Sequence, residues 1–247
     1  MIEADNIIFA THYPFLNVPG FYFLRQHQER SYVVALEGQE VPDKLSGIYY
    51  SVDQGGLSLR SASGKLLLGG GSHRTGKKVC YCEMTGFFYL REQAKKYYPD
   101  AMETAYWAAQ DCMPHDGISF IGRYSLFRPY WYVATGFHKW GMTSSMVSAM
   151  VISDMICGEQ NPYEEVFTPQ RLLIRAGIKN FCVDVGESVA GLTKGLFGKK
   201  EMRCRHLGCH LTWNEEEQSW DCPCHGSRFD KEGKLIDNPA QKHLEKK

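Results

Sequence analysis

The stretch CRHLGCHLTWNEEEQSWDCPCHGSRFD occupies residues 204–230 and is unusually rich in cysteine and histidine. It gathers four of the nine cysteines and three of the nine histidines. The remaining cysteines are scattered through apolar segments, as buried free thiols usually are. Because the sequence begins without the features of a secretory signal, clustered cysteine and histidine favour a metal site over a disulfide framework.

Two short pairs in this stretch each offer one thiolate and one imidazole: Cys204 with His206, and Cys222 with His225. Glycine and proline in the same loops let the backbone wrap closely around an inorganic centre. A single zinc ion with two cysteine and two histidine ligands fits these four residues but gives Cys209 and Cys224 no role. A zinc knuckle and a disulfide-stapled turn with incidental histidines are therefore the alternatives. His210 and His243 lie outside the pattern and are interpreted as surface residues.

The pattern C-x-H-L-G-C followed by C-P-C-H-G-S resembles the signature of Rieske [2Fe–2S] domains, over residues 203–240. In that family two thiolates hold one iron and two imidazoles hold the other. A disulfide ties the two cluster loops together. The resemblance implies thiolates from Cys204 and Cys222, imidazoles from His206 and His225, and a disulfide between Cys209 and Cys224.

Two further positions bear on the reduction potential that the resemblance implies. Ser227 lies where the family often places a hydroxyl that donates to a cluster sulfur. Phe229 stands where high-potential members carry a tyrosine with a second donor. Because a lost donor destabilises the reduced, more negative cluster, we expect a potential in the lower part of the Rieske range. The segment before Cys204 is too short for the usual base strands, so we expect a reduced lobe that relies on preceding residues for support.

Composition bounds the class of protein. The chain has 247 residues, 43% hydrophobic and 23% charged, with a formal net charge of zero. Neutral charge gives no electrostatic case for nucleic acid or an anionic membrane, and no apolar run approaches the roughly 18 residues of a spanning helix. We therefore expect a cytoplasmic protein with neither a nucleic-acid partner nor a membrane span.

The hydrophobic pattern predicts an α+β fold. An apolar strand at 5–11 and a β-rich region precede a helix near 85–98, two further strands, and a helix that begins near Gly141 and ends at Gly158. The pattern is helical again over about 172–196, and the glycine-punctuated segment from Gly191 is interpreted as a connector. The predicted division is a mixed or antiparallel sheet with helices at 1–180, a connector at 181–202, and a small all-β lobe at 203–247.

The segment YWYVATGFHKWGMTSSMVSAM, residues 130–150, predicts a strand that turns through Gly136 into a helix. Glycine allows close approach of a planar ligand, and the positive end of a helix stabilises negative charge such as that of a reduced flavin. With ADNIIFATHYPF and QDCMPHDGISFIGR, it resembles the C-terminal half of FAD-dependent amine and amino-acid oxidases, over about residues 3–160. The resemblance implies FAD contacts at Thr11, Gly122, Gly136, Phe137, His138, Lys139, Trp140, Gly141, Met142 and Thr143. A tight strand-to-helix connection with a purely structural role is the alternative.

Departures from that family are equally informative. The dinucleotide fingerprint G-x-G-x-x-G is absent, since GGGSHRTG at 69–76 has the wrong spacing. We therefore expect the C-terminal half of a longer flavoprotein, or of a split one whose partner polypeptide supplies the rest, with weak or no FAD binding by this chain alone. Asp111 stands near the place of a substrate-binding arginine, so amino-acid oxidation is not carried over. His115 is either a flavin neighbour or a packed residue, and Cys80 with Cys82 is interpreted as packing.

These features predict a two-part redox protein. A flavin would exchange two electrons with a small organic substrate, and a Rieske cluster would pass electrons singly to or from a redox partner or acceptor. Two rivals remain open from the sequence: a non-enzymatic carrier in which only the cluster functions, and a zinc-stabilised interaction module.

Overall fold

The computed structural model describes residues 3–39, 41–52, 56–77, 86–171, 174–197 and 202–245, without the side chains of 174–176. Its helices are α1 (Gly86–Tyr97), α2 (Gly141–Cys157), α3 (Glu164–Phe167), α4 (Ile174–Phe197) and one 3-10 turn (Tyr22–Leu24). Its strands are β1 (Ile7–Phe9), β2 (Gln26–Glu37), β3 (Tyr49–Tyr50), β4 (Ser58–Ala62), β5 (Lys65–Arg74), β6 (Met102–Pro114), β7 (Phe120–Ser125), β8 (Arg128–Thr135), β9 (Thr212–Asn214), β10 (Ser219–Asp221), β11 (Arg228–Asp230) and β12 (Leu235–Asp237).

Contacts between residues divide the chain into two compact units. The first contains Met1–Gln28, Asp111–Thr212 and Ser219–Lys247, and the second contains Glu29–Gln110 and Trp213–Gln218. The first unit therefore holds all the cysteine and histidine ligands implied by the sequence, together with the predicted strand-to-helix turn.

A three-stranded mixed sheet lies in the first unit. β8 is central, with β1 parallel to it on one side and β7 antiparallel on the other. Successive residues of β8 face opposite sides of the sheet, as the strand period of two requires. Val133 packs with Phe9 and Phe120 on one side. Tyr132 and Ala134 pack on the other side against residues of α2, namely Val151 and Ile152.

The second unit is built on an antiparallel sheet in the order β3-β4-β5-β2, with β6 next to β2. β2 alternates buried and half-buried residues over most of its length. Its buried face meets β5 and α1 in one apolar core, where each fully buried large side chain contributes about 1.5–3 kcal/mol. The core residues are Tyr32, Val34, Leu36, Val41, Leu66, Leu68, Phe87, Leu90 and Ala94.

A four-stranded sheet in the order β12-β11-β10-β9 forms the small C-terminal lobe. Arg228 joins three of its strands through charge-assisted hydrogen bonds, two of them buried and one part-buried. Its Nε donates to Asp221 Oδ1 at 3.0 Å, and its Nη1 and Nη2 donate to Asp237 Oδ2 at 3.1 Å and Ser219 Oγ at 2.9 Å. A buried guanidinium is tolerated only when its donors are satisfied in this way.

Helix α4 has buried positions at Gly177, Asp184, Gly191 and Gly195. The spacings of seven and four residues place them on one helical face. A Cβ atom at Gly191 would lie 2.5 Å from Cys224 Sγ, and one at Gly195 would overlap the carbonyl oxygen of Gly208. Glycine therefore lets this face of α4 approach the lobe more closely than any other residue allows.

The predicted α+β class is confirmed. The strand expected at 5–11 is β1, and the helix expected from Gly141 is α2, which ends at Gly158 in the left-handed conformation with φ 77°. The helix expected over 172–196 is α4, so residues 191–197 are helical and the connector assigned to them is not an irregular segment. The domain limits of 1–180, 181–202 and 203–247 stay a prediction. Among the described residues, no helix is both long and apolar enough for a transmembrane span.

Candidate functional site

Two similar loops form the centre of the candidate site. In the first, the N–H of Gly208 donates to the carbonyl of Cys204 at 2.9 Å; in the second, the N–H of Gly226 donates to the carbonyl of Cys222 at 2.9 Å. Both glycines have positive φ, 86° and 82°. Such left-handed turns favour glycine because it has no Cβ. The sequence thus folds each cysteine into a tight loop of the same kind.

The two thiols of these loops lie together. Cys204 and Cys222 are both buried. A hydrogen bond from Cys222 lowers the pKa of the Cys204 thiol below its ordinary value, although burial opposes this. The backbone N–H groups of His206 and Leu207 and the hydroxyl of Ser227 also donate to the sulfur and lower the pKa further. The same thiol–thiol contact, together with burial, raises the pKa of Cys222. The surroundings of Cys204 therefore favour its thiolate, and thiolate is the form that binds metal.

The two imidazoles also form a pair. The ring centroids of His206 and His225 are 4.8 Å apart at an angle of 87°. Phe23 makes edge-on contacts with both imidazoles, with its ring centroid 5.9 Å from that of His206 and 5.7 Å from that of His225. An aromatic side chain in this position limits the access of water to the ligand pair.

The nitrogen atoms of His206 have different surroundings. Its Nε2 lies 2.8 Å from Asn17 Oδ1, whereas its Nδ1 is buried without a hydrogen-bond partner among the described residues. Burial lowers the pKa of this imidazole to about 4. The neutral ring with Nε2–H donating to Asn17 leaves a lone pair on Nδ1. A ligating histidine with its second nitrogen hydrogen-bonded has this arrangement.

The donor set fits a two-iron cluster better than a single zinc ion. Among the described residues, the two thiols and two imidazoles do not form one group in which all ligand atoms lie within 4.8 Å of one another. A tetrahedral ion needs all four donors within about 2.3 Å of one centre. A thiol pair and a separate imidazole pair instead match the unequal ligation of a Rieske cluster.

A disulfide joins the two loops. Cys209 and Cys224 are bonded, with their Cα atoms 6.7 Å apart, and both residues are buried. Ser227 is also buried, and its Oγ accepts a hydrogen bond from the N–H of Ala240 at 2.9 Å. The hydroxyl is left to donate toward Cys204. The roles of Ser227 and of the four ligands stay predictions that this geometry agrees with.

Sequence reasoning missed three residues that support the site: Asn17, Phe23 and Gln28. The Nε2 of Gln28 donates to the carbonyl of His225 at 2.8 Å and to that of Asn238 at 3.1 Å. These contacts join positions that are 197 and 210 residues apart. The spacing within a motif carries no signal of them, because each arises only when distant segments meet.

The turn between β8 and α2 has an unusual backbone. Gly136, His138 and Lys139 all have positive φ, at 71°, 49° and 69°. The N–H of His138 donates to the carbonyl of Cys112 at 3.2 Å, and His138, Lys139, Trp140 and Met142 are exposed. Left-handed non-glycine residues are costly and cluster at functional sites. The turn presents the free N–H groups of the first turn of α2 to its surroundings.

The other residues implied by the flavin resemblance have varied settings. Thr11 is exposed, and its Oγ1 donates to the carbonyl of Tyr13 at 3.2 Å. Gly122 is buried, and a Cβ there would lie 3.3 Å from Pro169 Cδ. His115 forms a hydrogen bond with Asp184, so its nearest polar partner is on α4. Assignment of any of these residues to FAD stays a prediction. Cys80 and Cys82 lie outside the described residues.

Comparison with known families identifies both parts of the chain. The family model of FAD dependent oxidoreductases (DAO) matches residues 2–155. The chain belongs to this family. The model of the Rieske [2Fe-2S] domain matches residues 191–246, so this FAD-dependent oxidoreductase also carries a Rieske domain.

Similar proteins contain one or both parts. The Bacillus subtilis (strain 168) protein YhfW, named as a Rieske 2Fe-2S iron-sulfur protein, is 34% identical over 98% of this chain and 55% of its own length. The cytochrome b6-f complex iron-sulfur subunit 1 of Nostoc sp. (strain PCC 7120) is 51% identical over 17% of this chain and 23% of its own length. This FAD-dependent oxidoreductase chain thus spans about half, or less, of the relatives that it matches.

Two solved structures with a similar fold are oxidases. Glycine oxidase from Geobacillus kaustophilus has a TM-score of 0.50 and 20% identity, covering 60% of this chain and 40% of that one. Iminodiacetate oxidase from Chelativorans sp. BNC1 has a TM-score of 0.50 and 14% identity, covering 68% of this chain and 47% of that one. At these identities the likeness shows the fold of the FAD-dependent oxidoreductase part.

Proposed function

We propose that this chain is part of a redox enzyme that joins two-electron flavin chemistry on a small organic substrate to one-electron transfer through its Rieske cluster. A bound flavin would supply hydride or two-electron exchange, and a [2Fe–2S] cluster carries one electron at a time. A cytoplasmic location is part of the proposal and is supported by the free cysteines Cys112, Cys157 and Cys182 among the described residues.

The observation that carries the proposal is the position of two glutamines on β2. Gln26 Nε2 is 3.4 Å from Thr135 Oγ1, and a Cβ at Gly136 would lie 3.1 Å from Gln26 Oε1. Two residues later, Gln28 donates to the carbonyl of His225. Residues i and i+2 of a strand are about 7 Å apart. The start of β2 therefore contacts the predicted flavin-binding turn and the loop of a cluster ligand within one short segment.

The residues of the cluster pocket have separate tasks in this proposal. Cys204 and Cys222 would hold one iron, and His206 and His225 would hold the other. Asn17 would accept from His206 Nε2–H and keep Nδ1 directed at the metal. Phe23 would exclude water from the two imidazoles, and a drier surrounding changes the reduction potential of such a centre.

FAD would require polypeptide beyond this chain, either in a longer protein or in a partner. The sequence holds no dinucleotide fingerprint, while α2 leaves Met142, Met146 and Met150 exposed. Beside it lies an apolar cavity of about 570 Å³ whose lining includes Ile8 and Ala10 of the β1 segment. An exposed apolar surface of this kind is typical of a protein interface. We propose that a dinucleotide-binding segment covers it and completes the flavin site.

The test is to purify the full chain from cells co-expressing a G-x-G-x-x-G-containing oxidase segment, and to measure iron, labile sulfide, zinc and flavin. The proposal expects two irons and two sulfides per chain, a rhombic Rieske-type electron paramagnetic resonance signal on reduction, and flavin in the co-purified complex. Reduction of the cluster by a small amine substrate should require the flavin. One zinc ion without labile sulfide would contradict the proposal, and would favour the zinc-stabilised module.

A second candidate is a non-enzymatic electron carrier. It is favoured by the contrast between the complete cluster ligand set and the absent dinucleotide fingerprint in this sequence. Flavin content separates the two candidates. A chain with a full cluster that never acquires flavin, under any co-expression, would be a carrier whose oxidase-like part serves only for docking.

A further inference from the structure

Three potential ligands in the first unit have no role in the proposed electron transfer. They are His27 at the start of β2, His115 just after β6, and Asp184 on α4. Their ligand atoms all lie within 4.8 Å of one another. His27 Nδ1 is 3.1 Å from Asp184 Oδ2, and His115 Nε2 contacts the same carboxylate oxygen. The exposed fractions of the side chains are 16%, 9% and 12%, respectively.

We propose that His27, His115 and Asp184 bind one divalent ion of the zinc class. Two imidazole nitrogens and one carboxylate oxygen are a common ligand set for zinc at a site with one exchangeable position. Donors about 2.0–2.2 Å from one ion are roughly 3–4 Å apart, and the ligand atoms here are separated by no more than 4.8 Å, so small adjustments would bring all three to one ion. The ion would close α4 onto β2 and onto the segment after β6.

The surroundings hold His115 in the orientation that the site needs. The Nδ2 of Asn180 donates to the backbone carbonyl of His115 at 2.8 Å. The backbone N–H of His115 donates to the carbonyl of Arg25 at 3.1 Å. Gly177 allows α4 to approach, since a Cβ there would lie 3.2 Å from the Cβ of His115. Phe181 contacts the imidazole edge-on at 5.9 Å. Outer contacts of this kind orient metal ligands.

A cavity beside His115 gives access to the proposed metal site and leaves room for a fourth ligand. His115 lines a cavity of about 620 Å³, together with Arg25, Arg171 and aromatic residues. Arg171 is neutralised by Asp116, whereas Arg25 packs its guanidinium 4.4 Å from the ring centroid of Phe120. Because Arg25 adds positive charge beside the site, we expect a water-derived hydroxide or another small anion at the fourth position. A bound divalent ion lowers the pKa of a water molecule at its open coordination position, which favours hydroxide there.

Zinc itself is the probe for the test. The protein with its two cluster irons is treated with chelator, iron and sulfide are measured again, and Zn²⁺ is added in a calorimetric titration. The proposal expects one tight zinc per chain and a rise of the melting temperature with zinc concentration. His27→Gln and Asp184→Asn should each weaken this binding by at least about 10-fold, since even outer-shell changes cost 10–100-fold.

The matched control is His12→Asn, which removes an exposed imidazole at φ 63°, a conformation that asparagine tolerates. It should bind zinc as the natural sequence does. The exposed cysteines Cys157 and Cys182 are present in every variant, so any zinc they hold cancels in the comparison. Equal zinc affinity in the natural sequence, His27→Gln and Asp184→Asn overturns the proposal, as does the lack of a stoichiometric site. If Asp184→Asn loses its cluster, His27→Gln decides.

Discussion

Gly191 of α4 lies directly against Cys224, one half of the disulfide between the cluster loops. A Cβ atom at position 191 would be 2.5 Å from the Cys224 sulfur and 3.4 Å from Cys209 Cβ. The N–H of His210 donates to the carbonyl of Gly191 at 3.0 Å. The helix is therefore fastened to the first loop and pressed against the disulfide at the same residue.

Gly191→Ala is expected to displace α4 from the lobe. Overpacking of a close contact costs about 1–3 kcal/mol, so we expect a lower melting temperature and less iron per purified chain. Gly186→Ala is the control in the same helix, because nothing lies within 4 Å of a Cβ there. Alanine at an open helical position should stabilise by about 0.5–1 kcal/mol. Equal iron content and stability in the two variants would contradict the role assigned to Gly191.

Phe229→Tyr is expected to raise the reduction potential of the cluster. Phe229 is fully buried in the core that contains the four lobe cysteines. A tyrosine hydroxyl directed at a sulfur would stabilise the reduced, more negative cluster. A gain of about 1.4 kcal/mol corresponds to about 60 mV for a one-electron couple. Ser227→Ala should shift the potential downward by a similar amount, as followed by redox titration. A natural cluster already at the top of the Rieske range would contradict this account.

The Asp116–Arg171 pair is expected to make the free energy of unfolding depend on pH in the acidic range. Burial opposes ionisation of Asp116, but hydrogen bonds from Arg171 and the N–H of Ile118 outweigh it and hold the pKa below the ordinary value of 3.8. A carboxyl group whose pKa is lower in the folded than in the unfolded state stabilises the fold at any pH above its unfolded-state pKa. This stabilisation is lost as the pH falls through the folded-state pKa. Asp116→Asn should therefore cost up to about 3 kcal/mol at neutral pH, and the difference should shrink below pH 3.8.

The control for this pair is Glu245→Gln. Glu245 accepts from Arg205 Nη1 at 2.8 Å, but both side chains are at least one-third exposed. Exposed ion pairs contribute about 0–1 kcal/mol, so denaturant unfolding of this variant should match the natural sequence at each pH. A deficit of Asp116→Asn that persists unchanged in acid would mean that packing, and not charge, is responsible.

Gln28→Leu is expected to destabilise the cluster loop from outside the lobe. It removes the Gln28 donor from the buried carbonyl of His225 and from the half-buried carbonyl of Asn238. Loss of a partner costs about 1–3 kcal/mol for a buried group such as the first. Gln241→Leu is the matched control, since Gln241 Nε2 also donates to a remote carbonyl, that of Phe15 at 2.8 Å, but in an exposed setting. Thermal unfolding and the rate of iron loss to chelator should change in Gln28→Leu and much less in Gln241→Leu.

The sequence predicted the local elements well, because they depend on short spacings, whereas the assignment of the four cluster ligands stays a prediction. The left-handed turn at Gly208 and Gly226 and the strand-to-helix step at Gly136 follow from glycine placement within each motif. Contacts between distant segments were not predictable in the same way. Nothing in the neighbourhood of Asn17 indicates that it meets His206, 189 residues later. Nor did the glycines of α4 indicate a buried helix face, since the same residues also punctuate irregular connectors.

The hydrogen bond from Gln28 to the loop of His225 spans 197 positions of the chain. Contacts of such high sequence separation form late, since the intervening chain must first be ordered. During synthesis, Gln28 therefore has no partner loop until 197 further residues have been made.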